Sequence, residues 1–67
     1  MELLLKDDVI LARLKDYGFK YVKTEKKEVY QNQGIEVDVN TSKVTITGKA
    51  DPVIIVKLYL NSIIYLK

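Results

Sequence analysis

The sequence predicts a single small α+β domain over residues 1–67, an antiparallel meander of three or four strands with N- and C-terminal helices packed on one face. Three observations carry this expectation. Apolar and polar residues alternate through Ile35–Val39 and again through Val44–Ile46, the period of a half-buried strand pair. Apolar residues at mixed three- and four-residue spacing, the mark of helices, flank that region on both sides. And 67 residues suffice for one hydrophobic core, not two.

Taken in order, Leu3–Leu5 is either a short strand or an apolar lead-in to a helix. Asp7 or Asp8 supplies a capping carboxylate, and Val9, Ile10, Leu11, Leu14 and Tyr17 then give a helix from about Asp8 to Tyr17. Gly18 is suited to the left-handed C′ position. Placing it there makes Leu14 and Phe19 the apolar pair that closes a Schellman ending.

Phe19–Thr24 reads as extended, Glu25–Glu28 as a charged turn, and Val29–Asn32 as a returning strand. A four-residue connection pairs Val22 with Val29 and Tyr21 with Tyr30; a slip of one residue would break both matches. Gln31–Gly34 is a polar turn into the clearest hairpin, whose buried side is Ile35, Val37, Val39, Val44 and Ile46, with its own turn at Asn40–Ser42. Asp51 as N-cap and Pro52 at the first helical position start the last helix. Its Ile55/Val56/Tyr59/Leu60/Ile63 side is expected to face the sheet. Ser62–Leu66 also has strand character. The alternative architecture is therefore a ferredoxin-like βαββαβ sandwich with Leu3–Leu5 and Ile63–Leu66 as edge strands.

Composition narrows the function classes. With no cysteine or histidine, disulfides and conventional zinc sites are excluded, and acid–base chemistry would fall to carboxylates, lysines or tyrosines. The carboxylate neighbours Asp7/Asp8 and Glu36/Asp38 fit a helix cap and a solvated strand face better than a catalytic pair, so an enzyme and a bound cofactor are not expected. Absence of cysteine fits a reducing cytoplasm. Lys6, Asp7 and Asp8 interrupt the N-terminal apolar stretch before a secretory segment forms, and Val53–Leu66 is shorter than the ~20 residues a membrane span needs.

Two interaction surfaces stand out. A chain this short buries only about 60% of its unfolded surface, so association is one route to stability. On the last helix Ile54, Leu58 and Tyr65 lack an obvious intramolecular partner and are expected to mediate a homodimer. Lys20, Lys23, Lys26 and Lys27, with Tyr21 and Tyr30, form a basic and aromatic hairpin region that would suit nucleic acid, although Glu25 and Glu28 offset part of its charge and the chain's net charge is only +2.

From Gly34 the sequence GIEVDVNTSKVTITGKADPVIIVKLYL resembles the C-terminal half of heavy-metal-associated domains of the copper-chaperone type, through its strand alternation, turn glycine and Asp-Pro helix cap. The resemblance implies a βαββαβ order and, in that family, a metal loop with two cysteines between first strand and first helix. The corresponding stretch here carries Lys6, Asp7 and Asp8, so no metal ligand carries over. What it implies instead is a metal-free relative that binds another protein.

Overall fold

The computed structural model describes residues 2–6 and 11–67. Its strands are β1 (Leu3–Leu5), β2 (Lys20–Lys23), β3 (Glu28–Asn32), β4 (Ile35–Asp38), β5 (Lys43–Ile46) and β6 (Ile64–Leu66). A 3-10 helix over Leu11–Tyr17 follows β1, and one α-helix, α1 (Pro52–Leu60), links β5 to β6. The fold is mixed α+β. The expected four-strand meander is present as β2-β3-β4-β5, but the sheet continues past it, in the order β2-β3-β4-β5-β1-β6, with every pairing antiparallel. Among the described residues, six strands, a 3-10 helix and a single α-helix therefore stand where three or four strands and two helices are expected. The alternative's two terminal strands both form, yet β1 lies inside the sheet rather than at its edge. The proposed caps Asp7 and Asp8, with Val9 and Ile10, lie outside the described residues.

Register places most of the apolar strand side chains on one face, with Leu4, Val22 and the buried Val29 on the other. Tyr30 is opposite Val37, Val37 opposite Val44, Ile35 opposite Ile46, Leu3 opposite Val44 and Leu66, and Leu5 opposite Ile64. Side chains alternate along a strand, so these residues share the covered side. Leu14 of the 3-10 helix and Leu58 of α1 close over it, and together with Phe19 and Ile63 they complete the buried cluster. Val39 is only half-buried, and Ile46 lies exposed at the open end of that face.

Two similar helix endings hold this layer down. Gly18 has φ +84°; its N–H donates to the Lys15 carbonyl, and the Phe19 N–H to the Leu14 carbonyl at 3.2 Å. At the end of α1, Ser62 takes the same role at φ +58°, with Ser62 N–H to the Tyr59 carbonyl and Ile63 N–H to the Leu58 carbonyl at 2.9 Å. Both are Schellman endings, and both bury their apolar pair, Leu14 with Phe19 and Leu58 with Ile63. The Asn32 side chain donates to the Tyr17 carbonyl at 2.9 Å, tying the first ending to β3. The start of α1 is as expected: Asp51 Oδ1 accepts from the Val53 N–H at 2.9 Å, with Pro52 next.

Between β3 and β4, Gln33 (φ +39°) and Gly34 (φ +89°) form a two-residue turn with both centres left-handed, the twist that suits a tight hairpin. Across the β2–β3 hairpin, Val22 pairs with Val29 and Tyr21 with Tyr30, the register that a four-residue connection requires.

Candidate functional site

The helix face expected to associate is not the face turned outward. Leu58 is 0% exposed and sits at the centre of the core; Ile54 is half-buried against the same cluster. The physical reason lies in the Schellman ending. It stops α1 at Leu60 and folds Ile63 back under Leu58, so Ile63 is not part of the helical stripe with which it was grouped. With Leu58 as the inward direction, ~100° per residue puts Val56 and Leu60 on the opposite side. These two and their neighbours are the exposed ones: Val53 57%, Val56 52%, Tyr59 55% and Leu60 74%. Tyr65 belongs to β6, not to the helix; it is half-buried, with the Lys6 ammonium 5.8 Å from its ring centroid.

A water-facing helix ordinarily carries charge on its outer side. Here only Lys57 does so within Pro52–Leu60. An apolar outer face is costly to leave in water, and among the described residues none covers this one. Sequence reasoning missed it because α1 is apolar around nearly its whole circumference. The Asn61–Ser62 pair, polar residues that end the apolar run, was the signal that Ile63 leaves the helix.

The basic and aromatic residues of the β2–β3 hairpin separate between the two faces. Tyr21 and Tyr30 stack at 5.3 Å between ring centroids with planes tilted by 53°, on the side that also carries Lys23 and Glu28. Lys20 falls on the other side with Val22, Val29 and Gln31. The Tyr21 hydroxyl donates to the Glu28 carboxylate, and this bond is the main reason the phenol is shifted above its ordinary value of 10.0; lost hydration and the charge of Glu28 add to it. Lys27 is tied to Glu36 at 3.0 Å, while Lys26 stays exposed in the loop. A carboxylate thus sits against the exposed ring, where a phosphate would have to approach.

The far face of the sheet carries a polar rung, Lys20–Gln31–Glu36–Thr45, aligned across four strands. It borders an open concavity of about 600 Å³ that extends to Thr47 and the Gln33–Gly34 turn. Glu36 is engaged by Lys27, and Asp38 accepts from the Asn40 and Thr41 N–H groups at 2.8 and 3.0 Å. Both carboxylates therefore have structural roles. Among the described residues no buried polar side-chain atom lacks a partner, and no three acidic side chains gather as metal ligands. Among the described residues, no helix is long and apolar enough to cross a membrane.

Comparison with protein-family models, with curated proteins and with solved structures finds no match.

Proposed function

We propose that this chain is a small non-catalytic interaction protein that acts as a homodimer, joined through the outer face of α1. The observation that carries the proposal is the row Val53, Val56, Tyr59 and Leu60, each more than half exposed on a nine-residue helix. Their open surface is on the order of 400 Å² per copy, the scale at which an apolar patch on a small protein is commonly functional. A two-fold contact uses the same patch on both copies, so one apolar face is sufficient to form it. The work of such a protein is done by what it holds together rather than by bond chemistry, and a cytoplasmic setting suits a chain without cysteine.

The test changes the face without touching the core. Val56→Glu and Leu60→Lys both lie on the exposed side, so each should keep the native circular dichroism spectrum while light scattering reports a loss of the dimer. Unchanged mass in both variants overturns the proposal. A metal-free relative of heavy-metal-associated domains that binds another protein would use the same helix face, and it predicts a folded monomer that gains mass only with its partner. Nucleic-acid binding is favoured by the exposed Tyr21 ring with Lys23 on the same side; it predicts retention on single-stranded probes that weakens steeply with salt.

A further inference from the structure

The two edges of the sheet are built differently. β2 carries lysine at both ends, Lys20 and Lys23, the kind of charge that keeps an edge from pairing with another chain. β6 reads Ile-Tyr-Leu and carries no charge at all. Among the described residues no strand pairs with its outer side.

The hydrogen bonding shows which groups that edge presents. Glu2 and Lys67 exchange both backbone bonds, at 3.2 and 2.7 Å, and the Lys6 N–H donates to the Ile63 carbonyl at 2.9 Å. Antiparallel ladders alternate bonded and non-bonded pairs, so Leu4 and Tyr65, lying between these two, form the next bonded pair. The N–H and C=O groups of Ile64 and Leu66 therefore point away from β1, toward the free edge.

We propose that β6 pairs antiparallel with β6 of a second copy, about a two-fold axis at Tyr65, so that the two sheets become one of twelve strands. Ile64 of each copy then lies opposite Leu66 of the other, and each pair exchanges two backbone bonds. The two Tyr65 residues face each other as the non-bonded pair between them. This inference rests on the homodimer proposed above and names its second contact.

Area points to this occupant. The α1 faces alone cover roughly 800 Å² over two copies, below the 1,200–2,000 Å² typical of a stable specific interface. Strand pairing adds contact beside them. A two-fold axis perpendicular to the sheet keeps both helix layers on one side, which brings α1 toward α1 of the second copy. It also covers Leu66, now 48% exposed, with Ile64 of the other chain. The guarded β2 edge makes the pairing close at two copies instead of growing into a filament.

Tyr65→Cys tests the geometry, because the native chain has no cysteine. Residues in a non-bonded antiparallel pair have Cα atoms ~4.5 Å apart, within disulfide range. Treatment with the thiol oxidant diamide should convert most of the variant to a covalent dimer, while Thr45→Cys on the interior strand β5 should stay monomeric on a denaturing gel. A second variant, Leu66→Pro, removes an outward N–H and the side chain beside it but no N–H bonded to β1, so it should stay folded and weaken the dimer at least tenfold. If the native chain dimerises and Leu60→Lys abolishes the dimer, yet Tyr65→Cys does not cross-link and Leu66→Pro dimerises normally, the strand pairing is refuted and the helix contact stands. If the native chain is monomeric throughout, both fail together.

Discussion

Gly34 is the residue whose replacement by alanine should damage this fold most for its size. Its φ of +89° is a backbone conformation that an L side chain adopts only with strain, of roughly 1–2 kcal/mol. A Cβ there would also stand 2.6 Å from Thr47 Oγ1 and 2.9 Å from the Ala50 backbone nitrogen. The threonine hydroxyl can rotate away, but the Ala50 nitrogen cannot, because it donates to the Thr47 carbonyl at 3.0 Å while the Thr47 N–H donates to Gly34 itself at 2.8 Å. Relieving the overlap means moving the segment that leads into α1, a further ~1–2 kcal/mol by analogy with overpacked cores. The sum, about 2–4 kcal/mol, is a large fraction of the stability of a domain this small and corresponds to a fall in Tm of roughly 10–25 °C. Urea and thermal melts at one fixed chain concentration measure it, with Gly48→Ala as the control, since a Cβ at Gly48 meets nothing within 4 Å. A Gly34→Ala variant within about 0.5 kcal/mol of the native chain would refute the close approach of this turn to the α1 entry.

Leu58→Glu should unfold the chain rather than yield a folded monomer, because it places an unpaired carboxylate at a fully enclosed position; far-ultraviolet circular dichroism reads the outcome directly. Ser62→Gly should raise stability by about 0.5–1 kcal/mol, since φ +58° at the C′ position favours glycine; chemical denaturation measures the gain. Absorbance titration near 295 nm should show Tyr21 ionising above 10.0, with Glu28→Gln moving it back down. The sign follows from the raised value: whatever stability this hydrogen bond contributes is present below the ordinary phenol pKa and is lost as pH rises through the shifted one.

Local signals in the sequence were read correctly where one residue type satisfies one backbone need. Gly18 with Leu14 and Phe19, Asp51 with Pro52, and the Val22–Val29 register each follow from a cap, a ring constraint or a loop length. The outward face of α1 was not legible, because a helix that is apolar nearly all round carries no preferred side. Its orientation is set by β6 and by the turn at Asn61–Ser62. β6 was legible only as the alternative, for a related reason: Ile63, Ile64 and Tyr65 suit a helix or a strand, and pairing with β1 decides between them. The basic hairpin shows the remaining limit. Composition groups Lys20 with Tyr21, whereas strand alternation places them on opposite faces.

Association through the outer face of α1 is tested most directly by sedimentation equilibrium of the native chain over a tenfold range of micromolar concentration, beside Leu60→Lys. The native chain should approach twice its 7.7 kDa mass as concentration rises, and Leu60→Lys should sediment as a folded monomer throughout. A native chain that stays at the monomer mass across the range would contradict the proposed dimer, and so would a Leu60→Lys chain that associates as strongly as the native one.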